Sequence, residues 1–243
     1  MLKLNKKDLH LPKPIVLCQP MQKHEAIPHI IHGTRHLHSH KAGFPDNICP
    51  LTHKALSHNK VPIYSWEVPL GKNPITVTLS TDRTEKVMRL IDNLPTQVSH
   101  VMKYKIASVF EELITNSLYH AYQTNEKTPK YKRLEKVHLP AREAILLSIN
   151  PHPTGIALSI KDHGGTLTFK DIQKALKRTH LIKTSEQMEQ KAQGAGLGLF
   201  MVFSLITHLK FHTIKNTETT TSCWINYDRK NDPMDFSFNY FGI

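Results

Sequence analysis

From residue 75 to about residue 227 the apolar positions follow two periods in turn. Ile75-Thr-Val-Thr-Leu alternates apolar and polar residues, as a half-buried strand does. Asp82 with Glu85 three residues on predicts a helix start, and Val87, Leu90, Ile91 and Leu94 recur on one helical face until Pro95 ends it. A longer helix is predicted from about residue 101 to 122, with Ile106, Val109, Phe110, Leu113, Ser117 and Leu118 on its buried side. After a lysine-rich loop, Ala144-Ile-Leu-Leu-Ser-Ile and Gly155-Ile-Ala-Leu-Ser-Ile-Lys-Asp162 read as strands. They are joined by Asn150-Pro-His-Pro-Thr-Gly, whose prolines and glycine are turn chemistry. A long polar stretch leads to a helix over about 196–208 and strands over about 209–214 and 220–227. Strands with helices to one side predict an α/β (α+β) fold, a two-layer sandwich of a mixed, mostly antiparallel sheet with helices on one face.

Residues 1–73 differ, being rich in proline and histidine and short of long periodic segments. Ile15-Val-Leu-Cys predicts a short strand, and Glu25 to Arg35 a short helix around Ile27, Ile30 and Ile31, limited by Pro28 and Gly33. His36-Leu-His38-Ser-His40 has imidazoles at alternate positions, which an extended segment turns to one side, but no carboxylate or cysteine spacing accompanies them. A solvated histidine-rich loop is therefore expected there rather than a metal site. The expected organisation is an N-terminal accessory segment over 1–73, a principal domain over 74–228 and a tail over 229–243.

Composition narrows the classes. No run approaches the ~20 apolar residues of a membrane span, and the opening Met1-Leu-Lys-Leu-Asn-Lys-Lys lacks a signal-peptide h-region, so a cytoplasmic protein is expected. Cys18, Cys49 and Cys223 are scattered and form no CxxC pair, which reads as reduced structural thiols. The formal charge of +12 admits nucleic acid, an acidic protein or ATP as partner. Lysines are spread along the chain and no aromatic-basic RNA-reading pattern appears, which disfavours nucleic acid.

Three segments carry candidate chemistry. On the long helix Glu112, Asn116 and His120 are four residues apart and lie along one stripe beside the apolar face. An amide oxygen there suits Mg²⁺, a hard cation that keeps most of its shell for water and phosphate, and a carboxylate one turn away can orient or deprotonate a nucleophile. The same stripe also reads as the solvated side of an amphipathic helix. Asp162 ends an apolar strand and precedes Gly164 and Gly165. Its carboxylate can accept from an exocyclic amine such as adenine's, with glycines permitting close approach, or the segment is an ordinary Asp-Gly turn. Gly194-Ala-Gly196-Leu197-Gly198-Leu199 lacks the ending of a P-loop but leads into a helix whose free N–H groups would attract phosphate.

Together, in this order, the three segments resemble the N, G1 and G2 boxes of the ATPase superfamily that joins gyrase, a heat-shock chaperone, histidine kinases and mismatch-repair ATPases. Ile75-Thr-Val-Thr-Leu-Ser, the helix after it and Glu112-Leu-Ile-Thr-Asn116-Ser-Leu-Tyr-His120-Ala-Tyr look more closely like bacterial anti-sigma-factor serine kinases. The resemblance covers about residues 74–228. It implies a Bergerat-type ATP-binding fold in which Asn116 holds Mg²⁺ and Glu112 is the base or positions the nucleophile. It also implies that Asp162 binds the adenine amine and that Gly194, Gly196 and Gly198 line the phosphates. His120, Gly164, Gly165, Leu197 and Leu199 complete the implied nucleotide contacts. The polar segment over 166–193, with Lys170, Lys174, Lys177, Arg178, Lys183 and Lys191, is implied to be a mobile lid.

The chain also departs from that pattern. The second glycine of the G1 box falls at Thr166, and the Gly-Thr of a later box is replaced by Thr219-Thr-Thr-Ser222. No phosphoacceptor-histidine hairpin precedes the domain. The expectation is an ATP- and Mg²⁺-dependent kinase that phosphorylates serine or threonine of a protein partner, such as a sigma factor or an anti-sigma antagonist, and that is a possible homodimer. The alternatives are a non-catalytic ATP-dependent binding switch and a histidine kinase-like ATPase domain of a two-component pathway.

Overall fold

The computed structural model describes residues 15–40, 48–58, 60–64, 66–67, 70, 74–124, 126, 128–132, 135–180, 197–227 and 235–243. Its strands are β1 (Ile15–Cys18), β2 (Thr34–Ser39), β3 (Ile75–Val77), β4 (Ile145–His152), β5 (Gly155–Asp162), β6 (His208–Ile214), β7 (Glu218–Asn226) and β8 (Phe236–Gly242). Its helices are α1 (Lys23–Ile31), α2 (Ile48–Ser57), α3 (Arg83–Asp92), α4 (His100–His120), α5 (Phe169–His180) and α6 (Leu197–Leu205). The strands form one eight-stranded mixed sheet in the order β1-β2-β8-β6-β7-β5-β4-β3, parallel only at β1–β2 and β6–β8. The fold is α+β.

Period-two alternation decides what each strand shows to either side. Ile156, Leu158 and Ile160 of β5 are buried toward the helices, and the register continues their row through Leu147 of β4, Thr221 of β7 and Phe211 of β6. On that face α4 buries Ile106, Val109, Phe110, Ile114 and Leu118 at exposures of 0% each, a complete apolar stripe for a 21-residue helix. Ser99 caps α4 by accepting from the Met102 N–H at 3.3 Å. The capping expected at Asp82 does not form: Asp82 is helical in φ and ψ, makes no side-chain cap bond, and Glu85 pairs instead with Arg89 at 3.3 Å.

The sheet crosses the expected boundaries near residues 73 and 228, because β1 pairs with β2, β2 with β8, and β8 with β6. The helix expected to reach Arg35 ends at Ile31, since Gly33 takes φ 117° and the chain re-enters as β2. The histidine-rich loop is therefore a buried strand: His36 and His38 are each 1% exposed. They find polar partners on the face away from the main helices, His36 Nδ1 with Asn239 Oδ1 at 3.2 Å and His38 Nε2 with the Thr52 hydroxyl of α2 at 3.2 Å. That contact sets α2 on the opposite face of the sheet from α4, so helices do not lie on one face alone. Cys18 is disulfide-bonded, which corrects the reading of reduced thiols, while Cys223 is a buried free thiol. No helix among the described residues is long and apolar enough to cross a membrane.

The same outer face buries an ion pair. Lys210 of β6 donates to Glu67 Oε2 at 2.5 Å and to the Pro62 carbonyl at 2.8 Å, and the two charged side chains are 6% and 7% exposed. Trp66 stacks beside it on His208, with ring centroids 6.0 Å apart. Removing one partner of such a pair strands the other charge, at about 3–5 kcal/mol. We predict that Lys210→Met loses stability of that order in urea titration, and that adding Glu67→Leu restores more than half of it. A loss under about 1 kcal/mol in the single variant would show that water reaches the pair.

Candidate functional site

Between α4, α5, the start of α6 and the helix-facing side of the sheet lies a cavity of about 490 Å³. That is within the roughly 300–1,000 Å³ of small-molecule sites. α4 contributes Glu112, Asn116, Ser117 and His120, β5 contributes Asp162, and α6 contributes Leu197, Gly198 and Leu199. The three sequence segments thus meet at one cavity. Gly194 and Gly196 lie outside the described residues.

Asp162 forms one end of the site. It continues the apolar row of β5, so the alternation that buries Ile160 also buries its carboxylate, to 6% exposure. Two neutral donors hold it, the Ser117 hydroxyl on Oδ2 at 3.1 Å and the Gly164 N–H on Oδ1 at 3.0 Å. Burial dominates over these bonds and pushes its pKa from 3.8 up to about 6. Thr219 of β7, the register partner of Asp162, also lines the cavity. It is 3% exposed, and its hydroxyl has no hydrogen-bond partner among the described residues.

Glu112 and Asn116 form the other end. Asn116 Nδ2 donates to Glu112 Oε1 at 3.2 Å across one helical turn, so the amide nitrogen is engaged and the group by which Asn116 can accept is Oδ1. The Glu112 carboxylate rests against Gly198 so closely that a Cβ there would overlap it. Gly198 thus lets the carboxylate lie against the first turn of α6, and a side chain there would push it aside. Lys174 and Arg178 of α5 add two cations to the wall.

Other expected contacts have different roles. Gly164 and Gly165 do not line the cavity. A Cβ on Gly164 would overlap the Ala121 carbonyl, and Gly165 takes φ 58° with Cβ space filled by the Ile214 carbonyl. Both glycines serve the packing of the loop after β5 against the end of α4 and the β6–β7 turn. Thr166, where the family pattern has glycine, donates to the carbonyls of Ala121 at 2.9 Å and His120 at 3.2 Å and so satisfies the C-terminus of α4. The first part of the expected lid is core: α5 buries Phe169, Ile172 and Leu176. Lys170 and Lys177 are exposed, and Lys183 and Lys191 lie outside the described residues.

Sequence reasoning missed Thr219 and the helix α5. Phe169, Ile172 and Leu176 at i, i+3 and i+7 were the available signal for α5. For Thr219 the sequence held none, because its placement follows from strand register alone. No family model matches this chain, and no curated protein matches it either.

The raised pKa of Asp162 has a signed consequence. A carboxyl that binds its proton more tightly when folded contributes stability below about pH 4 and loses it as pH rises to about 6, by at most about 3 kcal/mol for two pH units. At pH 7.5 the ionised side chain is therefore a cost to the ligand-free fold. Asp162→Asn is expected to melt above wild type at pH 7.5 and to lose about half of that advantage at pH 5. Calorimetry at both pH values checks this, and an Asn variant less stable at pH 7.5 would contradict it.

Proposed function

We propose that this cavity binds ATP with Mg²⁺ in a Bergerat-type two-layer ATPase unit. We further propose that the chain transfers the γ-phosphoryl group to serine or threonine of a protein partner, a sigma factor or anti-sigma antagonist in the pattern it resembles. One observation carries the reading: Glu112, Asn116, Asp162 and Gly198, from three separated segments, line a single cavity with a buried hydroxyl that has no partner among the described residues.

The residues suit the ligand. Asp162 keeps lone pairs beyond those used by Ser117 and Gly164 and would accept from the exocyclic amine of adenine, with the Thr219 hydroxyl beside it for a ring nitrogen or a bridging water. Among the described residues no group of three His, Cys, Asp or Glu side chains is placed to hold a metal. Mg²⁺ would therefore take one protein oxygen, Asn116 Oδ1, and the rest from phosphates and water. Bound ATP with its Mg²⁺ supplies the transferable phosphoryl group and most of the charge neutralisation. Glu112, one turn from Asn116, is positioned to orient the acceptor hydroxyl and take its proton, while Lys174 and Arg178 attract the phosphates.

Titration calorimetry and phosphosite mapping test the two halves separately. Wild type is expected to bind Mg-ATP below millimolar, with affinity falling as pH drops through about 6, where Asp162 takes up its proton. Asp162→Asn is expected to bind far more weakly. Glu112→Ala should keep nearly normal affinity and lose transfer to the partner by about 10²-fold or more, since general-base help acts on the transition state. Asn116→Ala should weaken both. No binding by wild type at millimolar ATP would end the reading. A partner retained only with ATP yet never phosphorylated would replace the kinase by a non-catalytic switch.

A further inference from the structure

α5 has two sides with different neighbours. One side lines the cavity with Asp171, Ile172, Lys174, Ala175 and Arg178. The other meets α1, a helix of the N-terminal segment. There Gln173 Nε2 donates to the Ile31 carbonyl at 2.8 Å and to the Ile30 carbonyl at 3.4 Å. Both belong to the last turn of α1, where carbonyls lack partners within the helix itself, and the Ile30 carbonyl also accepts from the Gly33 N–H at 3.1 Å. At the start of α5 the Arg35 guanidinium of β2 lies 5.3 Å over the Phe169 ring. The N-terminal segment therefore grips α5 at a polar point in its middle and at an aromatic point at its beginning.

We infer that α1 sets the position of the α5 wall through Gln173, making the N-terminal segment a built-in regulator of the cavity's affinity for the phosphate end of its ligand. This rests on the ATP reading above. Gln173 is a positioning residue: it does not line the cavity but fixes the helix whose next residue, Lys174, does. Ile27 and Ile30 of α1 and Ile172 and Leu176 of α5 share one core, so loss of Gln173 loosens α5 without detaching it. Anything that draws α1 away, such as a partner on the N-terminal segment, would move Lys174 and Arg178 with α5.

Three variants of the full chain decide the matter. Gln173→Ala removes the donor, Gln173→Met removes it while keeping the volume, and Gln173→Lys keeps a donor at the end of α1. In nucleotide-free protein, Ala and Met should speed amide hydrogen exchange over residues 169–180 several-fold while the exchange of α4 is unchanged, and Lys should restore the slow exchange. In calorimetry, Ala and Met should weaken ATP by about 3- to 10-fold, the scale of one or two hydrogen bonds, and leave adenosine, which lacks phosphates, unaffected. A general structural defect would weaken both ligands and accelerate exchange throughout. Unchanged exchange over 169–180 in Gln173→Ala and Gln173→Met overturns the inference whether or not ATP binds. Faster exchange with unaltered ATP affinity overturns its regulatory half. A wild type that binds no ATP ends the ATP reading and the regulatory half with it, and leaves the exchange result to decide whether α1 holds α5.

Discussion

The arrangement turns on one carboxylate that is buried without a cation. Strand alternation places Asp162 in the same row as Ile156, Leu158 and Ile160, facing the helices, where a charge is costly. The surroundings compensate with neutral donors: α4 supplies the Ser117 hydroxyl, and the chain bends at once to bring the Gly164 N–H back onto it. That bend brings Gly164 against Ala121 and Gly165 against the β6–β7 turn, positions that tolerate no side chain. Thr166 then closes the end of α4. The C-terminus of α4, the end of β5 and the β6–β7 turn thus converge on one side chain, and the cavity opens beside it. Because the bonds only partly offset burial, the group sits near pH 6, between its charged and neutral forms.

The other face of the sheet buries polar groups mostly in pairs, His36 with Asn239, His38 with Thr52, His208 with Ser237 and Lys210 with Glu67, although Glu67 Oε1 and His212 Nε2 are buried there without a hydrogen-bond partner among the described residues. Such pairs add little net stability over apolar packing, but a mispaired register would leave several of them unsatisfied at once. They therefore fix where α2 and residues 60–64 and 66–67 lie on the sheet. Burial drives the His208 pKa down to about 4, so that imidazole is neutral within this face.

Much of the architecture was legible where a single period governs a segment. The pattern of α4, the β4–β5 hairpin and β6–β7 could be read because one face of each is apolar and the other polar. β2 could not. Its alternate positions are histidines buried among polar partners, so a strand with two covered faces looks like a solvated loop. The pairing of β2 with β8 joins residues some 200 positions apart, and local patterning carries no trace of such a contact. Within the cavity, Glu112, Asn116 and Asp162 were readable from spacing and strand ends. Thr219 and the packing duties of Gly164 and Gly165 were not, since each depends on what a neighbouring strand or helix brings against it.

The same non-local pairing changes what the N-terminal segment can do. Leaving the cavity through α5, one reaches α1 by way of Gln173, then β2 by the turn at Gly33. From β2 the sheet leads to β8 and then β6, whose Phe211 lines the cavity again. Close-packed elements arranged in a ring cannot shift one at a time, so a displacement of α1 reaches the site by two routes, through the helix and through the sheet. The sheet route is stiff, with its strands hydrogen-bonded along their lengths, whereas the helix route runs through side-chain packing, two side-chain hydrogen bonds and a ring contact, with no backbone ladder. Strain imposed on the N-terminal segment is therefore taken up mainly by α5, the wall that carries Lys174 and Arg178, while Asp162 and Thr219 on the sheet stay in place.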